Sequence, residues 1–215
     1  MNNFSHIIFD LDGTLTDNTL GISKSMQYAL EKMNIGGYSE EVLKKYVGPP
    51  LQYCFRDHFG LNEKETALAV DYFREYYGEK GWAENKLYPG VPEMLEELHS
   101  SGKQLFIATS KLGKFARMVL QNFDLQKYIT DMEGADYGGT HSKGDLIRAV
   151  MNRNGIQPGK QVIMVGDTIF DIQGARESKI PVTAVSYGFG EKEELLAMNP
   201  DFYAENVGEL HNILV

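Results

Sequence analysis

Two short acidic motifs carry the residues best suited to chemistry. Asp10-Leu11-Asp12-Gly13-Thr14-Leu15-Thr16-Asp17 follows directly on the apolar run His6-Ile7-Ile8-Phe9. Gly166-Asp167-Thr168-Ile169-Phe170-Asp171 follows Gln161-Val162-Ile163-Met164-Val165 in the same way. If a helix starts near Thr168, Asp167 stands at its N-terminus and Asp171 about one turn on, so both can face one crevice. Burying several like charges is costly unless a cation or a proton compensates. The carboxylates therefore point to a divalent metal, and oxygen ligands beside a phosphate favour Mg²⁺. Each motif alone has a plainer reading, Asp12-Gly13 as turn residues and Asp167 as an N-cap. Their pairing gives them weight.

Two further elements supply what phosphate chemistry needs. The run Leu105-Phe106-Ile107-Ala108 ends in Thr109-Ser110-Lys111, so a hydroxyl and backbone amides can face phosphate oxygens; the alternative is an N-cap for the helix beyond Gly113. Lys143 lies in His141-Ser142-Lys143-Gly144-Asp145, just before a helical pattern. A cation there opposes the positive end of the macrodipole, which makes sense if it meets an anion and otherwise implies a surface side chain.

These residues must be positioned by an alternation of strand and helix. His6–Phe9, Gln104–Ala108, Gln161–Val165 and Pro181–Val185 read as buried strands of a parallel sheet. Helical patterns flank them at Pro92–Ser101, at Phe115, Val119, Leu120 and Phe123, at Leu146, Ile147, Val150 and Met151, and at Ile169–Ser178. This predicts an α/β fold, a Rossmann-like doubly wound parallel sheet whose sites form at the carboxyl ends of its strands. From about Asn18 to Glu84 the apolar positions recur at helical spacing only, and Gly36-Gly37, Gly48-Pro49-Pro50 and Gly60 divide them. The predicted division is a core of residues 1–16 and 85–215 with an all-helical insertion at 17–84.

Composition limits the function classes. The chain has 215 residues, 42% hydrophobic and 24% charged, with a formal net charge of -9; that is ordinary globular usage, and the acidity disfavours a nucleic acid polymer as partner. The apolar runs are far shorter than the roughly 20 residues a membrane span needs, and the start lacks the pattern of a secretory signal. A cytoplasmic protein with no membrane partner is expected, a monomer or weak homodimer. The single cysteine, Cys54, has no thiol partner for a disulfide or a structural zinc site, and reads as a small core residue.

Taken together, the motifs resemble those of the haloacid dehalogenase-like superfamily of phosphohydrolases: D-x-D-G-T after the first strand, Ser or Thr after the second, a later Lys before a helix, and G-D-x-x-x-D. All four occur here in that order, and the resemblance covers essentially the whole chain. Val47-Gly48-Pro49-Pro50-Leu51, Tyr88-Pro89-Gly90-Val91 and Ser186-Tyr187-Gly188-Phe189-Gly190 look like the phosphoglycolate phosphatase and 5′-nucleotidase-like branch. The resemblance implies a Mg²⁺-dependent phosphomonoesterase for a small phosphorylated metabolite, with Asp10 as nucleophile and Asp12 as acid and base. It also implies that Asp10, Asp12 (through its carbonyl), Asp167 and Asp171 serve the metal, and that Gly13, Thr14, Thr109, Ser110 and Lys143 hold the phosphoryl oxygens. One departure is that many relatives place a Pro near the motif lysine, whereas Gly138-Gly139-Thr140-His141-Ser142 stands here; Lys111 and Lys114 could share or replace the role for which Lys143 is favoured.

The same resemblance frames the alternatives. Asp12 argues against a dehalogenase. A sugar-phosphate mutase shares the core motifs but resembles this chain less, because Asn18–Ser23 lacks the cap His of such mutases. A non-catalytic phosphate-binding module is disfavoured because every catalytic position is filled. In the family the helical insertion is a cap that selects substrate; its candidates here are Arg56, Lys24, Lys44, Lys45 and the turn at Gly48 and Pro49, with nucleoside monophosphate or phosphoglycolate favoured.

Overall fold

The four apolar runs become the inner strands of one sheet. A computed structural model describes residues 4–48, 51–138 and 140–215. In chain order, β1 (His6–Phe9) and β2 (Thr16–Asp17) precede α1 (Thr19–Lys32), α2 (Glu40–Leu43), α3 (Leu51–Tyr53) and α4 (Glu63–Tyr76). After β3 (Lys86–Leu87), helix and strand alternate: α5 (Val91–Ser100), β4 (Gln104–Leu112), α6 (Gly113–Asn122), β5 (Ile129–Ala135), α7 (Lys143–Arg153), β6 (Val162–Gly166), α8 (Ile169–Glu177), β7 (Val182–Val185), α9 (Lys192–Ala197), β8 (Phe202–Ala204) and α10 (Val207–Leu214). The six-stranded sheet runs β5-β4-β1-β6-β7-β8, and every neighbouring pair is parallel. This is the doubly wound α/β architecture that the sequence predicts. Among the described residues no helix is long and apolar enough to cross a membrane.

The period-two alternation of a strand sorts its side chains onto two cores. Ile7, Phe9, Leu105, Ile107, Ile163 and Val165 meet Met94, Leu95 and Leu98 of α5, Val119 and Leu120 of α6, and Leu210 and Leu214 of α10. Ile8, Phe106, Ala108, Val162 and Met164 point the other way, onto Leu146, Ile147 and Val150 of α7, Ile172 and Ala175 of α8, and Leu195 of α9. Burial on both faces is why these strands read as unbroken apolar runs. In β1, His6 lies level with Gln104 on one side and Val162 on the other, so β1, β4 and β6 start side by side and Phe9 is level with Ile107 and Val165.

The chain divides into two compact units, residues 1–17 with 87–215 and residues 18–86. The second unit is helical. Met26, Ala29 and Leu30 of α1 and Ala69, Val70 and Phe73 of α4 are buried, and a capping box at Asn62 and Glu65 starts α4. Asn34 and Gly37 take left-handed conformations beyond α1, and Gly60 does so before α4, where the breakers fall in the sequence.

Candidate active site

The ends of β1 and β6 and the end of the apolar part of β4 each deliver one polar residue that is almost wholly buried. Asp10 continues β1, its N–H donating to the Val165 carbonyl at 2.8 Å. The chain then turns tightly. The amides of Thr14, Leu15 and Thr16 all donate to the Leu11 carbonyl, and Gly13 N–H donates to the Thr16 carbonyl at 2.7 Å. Gly13 has φ +84°, and a Cβ there would lie 2.1 Å from the Asp167 carboxylate, so both backbone conformation and space require glycine.

Asp167 follows β6, and Thr168 rather than Asp167 is the N-cap of α8. Thr168 N–H and Oγ1 donate to Asp171 Oδ2 at 3.0 and 2.8 Å, which leaves Asp167 for another role. Its Oδ1 accepts from Thr14 Oγ1 at 3.0 Å and its Oδ2 from Phe189 N–H at 2.9 Å. Asp10, Asp167 and Asp171 each offer an oxygen within 4.8 Å of the other two, and all three are buried.

Lys143 stands at the first position of α7, where Ser142 and Asp145 form a capping box. Its Nζ lies 3.0 Å from Asp10 Oδ1 and 2.9 Å from Asp171 Oδ1, and donates to the Ala108 carbonyl at 3.2 Å. The anion expected to justify a lysine at a helix N-terminus is thus present in the chain itself. Burial disfavours this ammonium, but Asp10 and Asp171 outweigh it and raise its pKa. Burial likewise pushes Asp10 up to about 6, with Lys143 opposing and Asp171 adding. Burial, then Asp171 and Asp10, hold Asp167 well above the usual carboxylate range. Lys143 thus serves two of the three clustered buried carboxylates, Asp10 and Asp171, while Asp167 is held by Thr14 and Phe189. An all-oxygen donor set with excess negative charge fits a hard divalent cation.

Thr109, at the end of the apolar part of β4, hydrogen-bonds through its hydroxyl to Asp10 and accepts from Lys111 N–H at 3.3 Å. The N-cap of α6 is Leu112, so Thr109 does not cap that helix. The β4–β5 register slips between Thr109 and Leu112, an irregularity of the kind that re-aims side chains near sites. Lys111 turns inward there and pairs with Asp12 Oδ2, its side chain only 5% exposed; Asp12 Oδ1 accepts from Thr16 Oγ1 at 3.3 Å. The two lysines therefore serve different carboxylates, Lys143 on Asp10 and Asp171, Lys111 on Asp12. Ser110 and Lys114 are exposed.

The remaining candidates belong to the helical unit. Arg56 binds Asp57 at 2.8 and 3.1 Å with its side chain 61% exposed. Lys24 pairs with Glu84, and Lys44 with Glu41 and Glu40. Gly48 is exposed with φ +118°, and Pro49 is outside the described residues. Sequence reasoning missed the loop after β7: Phe189 N–H serves Asp167, and Tyr187 Oη donates to the Thr14 carbonyl at 3.0 Å. Its signal was the glycine-bracketed Ser186-Tyr187-Gly188-Phe189-Gly190 after a strand, which served as a branch marker without a role.

Comparison with known proteins agrees with this geometry. The family model for haloacid dehalogenase-like hydrolases matches residues 7–185. A 5′-nucleotidase of Pseudomonas aeruginosa is 36% identical over 212 residues, covering 98% of this chain and 96% of the relative. A phosphoglycolate phosphatase of Vibrio parahaemolyticus is 29% identical, covering 97% and 95%. The crystal structure of a predicted phosphatase from Clostridium acetobutylicum superposes with a TM-score of 0.93 at 37% identity, covering 98% of each chain.

Proposed function

This chain belongs to the haloacid dehalogenase-like hydrolases, and from that premise we propose that it hydrolyses a small phosphomonoester through a phosphorylated Asp10. The observation that carries the reading is the buried Asp10 carboxylate, held by Lys143 at 3.0 Å within a trio of carboxylates. Asp10 attacks phosphorus as the bond to the leaving oxygen breaks, and that oxygen takes a proton from Asp12. Asp12 then removes a proton from water, which attacks the same phosphorus, releases inorganic phosphate and regenerates the Asp10 carboxylate.

Asp10, Asp167 and the carbonyl of Asp12 would hold Mg²⁺, with Asp171 as a further or supporting ligand. When bound, the ion offsets the negative charge that would otherwise keep an anionic nucleophile from an anionic substrate. Thr109, Ser110 and the turn at Gly13 and Thr14 would hold the phosphoryl oxygens. Lys143 is the lysine of the nucleophile, and Lys111 holds Asp12, which supports a division of labour between them. Segment 17–84 is the proposed cap, with Arg56, Gly48 and Pro49 as its substrate-selecting candidates.

A nucleoside monophosphate or phosphoglycolate is the substrate class we favour, on the names of the Pseudomonas and Vibrio relatives. A cytoplasmic setting is assigned with it. The test is phosphate release from a panel of nucleoside monophosphates, phosphoglycolate, sugar phosphates and pyrophosphate with Mg²⁺, with Asp10→Asn as control. One strongly preferred compound, absent in the control, is the expected result; release that the control retains would remove Asp10 as nucleophile.

A further inference from the structure

Tyr187 lies outside the proposed chemistry, yet it closes a ring of hydrogen bonds around Asp167. Each oxygen of that carboxylate accepts from the protein, Oδ1 from Thr14 Oγ1 at 3.0 Å and Oδ2 from Phe189 N–H at 2.9 Å. The two donors come from different loops, the turn after β1 and the loop after β7. Tyr187 Oη, donating to the Thr14 carbonyl at 3.0 Å, ties one loop to the other. Behind it, the Tyr187 ring meets Tyr88 edge to face, with centroids 4.8 Å apart, and Tyr88 N–H donates to the Leu15 carbonyl at 3.2 Å.

The glycines make the enclosure tight. A Cβ on Gly188 would lie 2.4 Å from Asp167 Cβ and 2.3 Å from the Gly13 carbonyl oxygen, so the two loop backbones close directly on the carboxylate. The orientation of Asp167 is therefore set by loops that Tyr187 holds together.

We propose that Tyr187 is a positioning residue for the cation site, acting through Thr14 on Asp167, and that it raises the preference for Mg²⁺ over larger divalent ions. Mg²⁺ demands near-ideal octahedral geometry at about 2.0–2.1 Å, whereas Ca²⁺ accepts looser arrangements at about 2.3–2.6 Å. A freer Asp167 thus penalises Mg²⁺ more. The inference rests on the cation reading given under the proposed function.

The experiment is calorimetric titration of Mg²⁺, and separately Ca²⁺, into the metal-free full chain without substrate. Tyr187→Phe, which keeps the ring against Tyr88, is expected to weaken Mg²⁺ binding about tenfold, the scale on which outer-sphere partners act, with a smaller change for Ca²⁺. Thr14→Val tests the next link and should lower the Mg²⁺/Ca²⁺ ratio in the same direction. The double variant should be no worse than Thr14→Val alone, since both act on one carboxylate. An unchanged ratio in Tyr187→Phe, equal weakening of both ions, or an additive double variant overturns the proposal. If Tyr187→Phe does not fold, an unchanged ratio in Thr14→Val overturns it instead. Wild-type protein that binds neither ion removes the cation reading and this inference with it; wild-type binding with an unchanged variant removes the inference alone.

Discussion

Lys143 and Arg56 are both cations paired with aspartate, yet the Lys143 side chain is 3% exposed and that of Arg56 is 61%. The contrast extends to their surroundings. In the α/β unit, Asp10, Asp167, Asp171 and Lys143 are withdrawn from water, with Lys143 paired to Asp10 and Asp171 and the three carboxylates clustered within 4.8 Å. In the helical unit, Lys24, Lys44 and Arg56 sit at 34%, 38% and 61% side-chain exposure, each against a nearby acid. Exposed pairs of that kind contribute about 0–1 kcal/mol, whereas buried charges carry desolvation costs of several kcal/mol per ion that pairing only partly repays. A buried cluster with more carboxylates than cations is therefore a poor device for stability. Its presence is explained by chemistry.

That contrast can be broken at its strongest point first. Asp10→Asn is expected to lower phosphate release by on the order of 10⁴–10⁶-fold, the scale of losing a covalent nucleophile, with an unchanged circular dichroism spectrum; retained turnover would sink the role. Asp12→Asn should cost about 10²–10⁴-fold as the acid–base group is lost, in steady-state assays with an alkyl phosphate. A variant at wild-type rate would move that role to another group.

Stability separates the two regions more sharply. Lys143→Met leaves buried carboxylates without their cation and should cost about 3–5 kcal/mol in denaturant unfolding of the metal-free protein. A neutral result would mean that the carboxylates take up protons at no cost.

The pH dependence carries a definite sign. Asp10 is pushed up to about 6, chiefly by burial, and Asp167 is held well above the usual range by burial and its carboxylate neighbours. Between the ordinary carboxylate value of 3.8 and about 6 the folded chain binds protons that the unfolded chain has released. The stability contributed by Asp10 is therefore present at the acid side of that window and falls as pH rises through about 6. The melting temperature of the metal-free protein should drop between about pH 4 and about pH 6, and Asp10→Asn should flatten the drop. An equally steep drop in that variant would place its origin elsewhere.

Arg56→Ala is the smallest expected effect, within about 0.5 kcal/mol on unfolding. A raised KM with kcat unchanged would make this exposed residue part of substrate binding after all; unchanged kinetics would leave it as a solvated ion pair.

The legibility of the sequence follows burial. The inner strands β1, β4, β6 and β7 announced themselves because both their faces are covered. The edges β5, where Asp131, Glu133 and Gly134 interrupt the apolar residues, and β8, three residues long, did not. In the site, Asp10, Asp167 and Asp171 were readable because a carboxylate after an apolar strand is costly and hence conspicuous. The pairing of Lys111 with Asp12 and the grip of the Ser186–Gly190 loop on Asp167 were not, because each joins residues far apart in the chain through a bulge or a backbone N–H. Local periodicity carries no trace of such contacts.

The register of β1 also has a consequence for how the molecule comes to exist. β1 precedes both of its neighbours, which begin at Gln104 and Val162, so its ladder closes only once Val162 and the residues after it are available. Helices α1 to α4, by contrast, make contacts within a stretch of fewer than 70 residues, Asn18–Lys86. Loop closure of high sequence separation slows folding, and chains of this size commonly pass through partly assembled states. On the ribosome the carboxylate trio cannot assemble before Asp171 has emerged, so an arrested nascent chain ending near Gly159 would hold helical structure and no competent site.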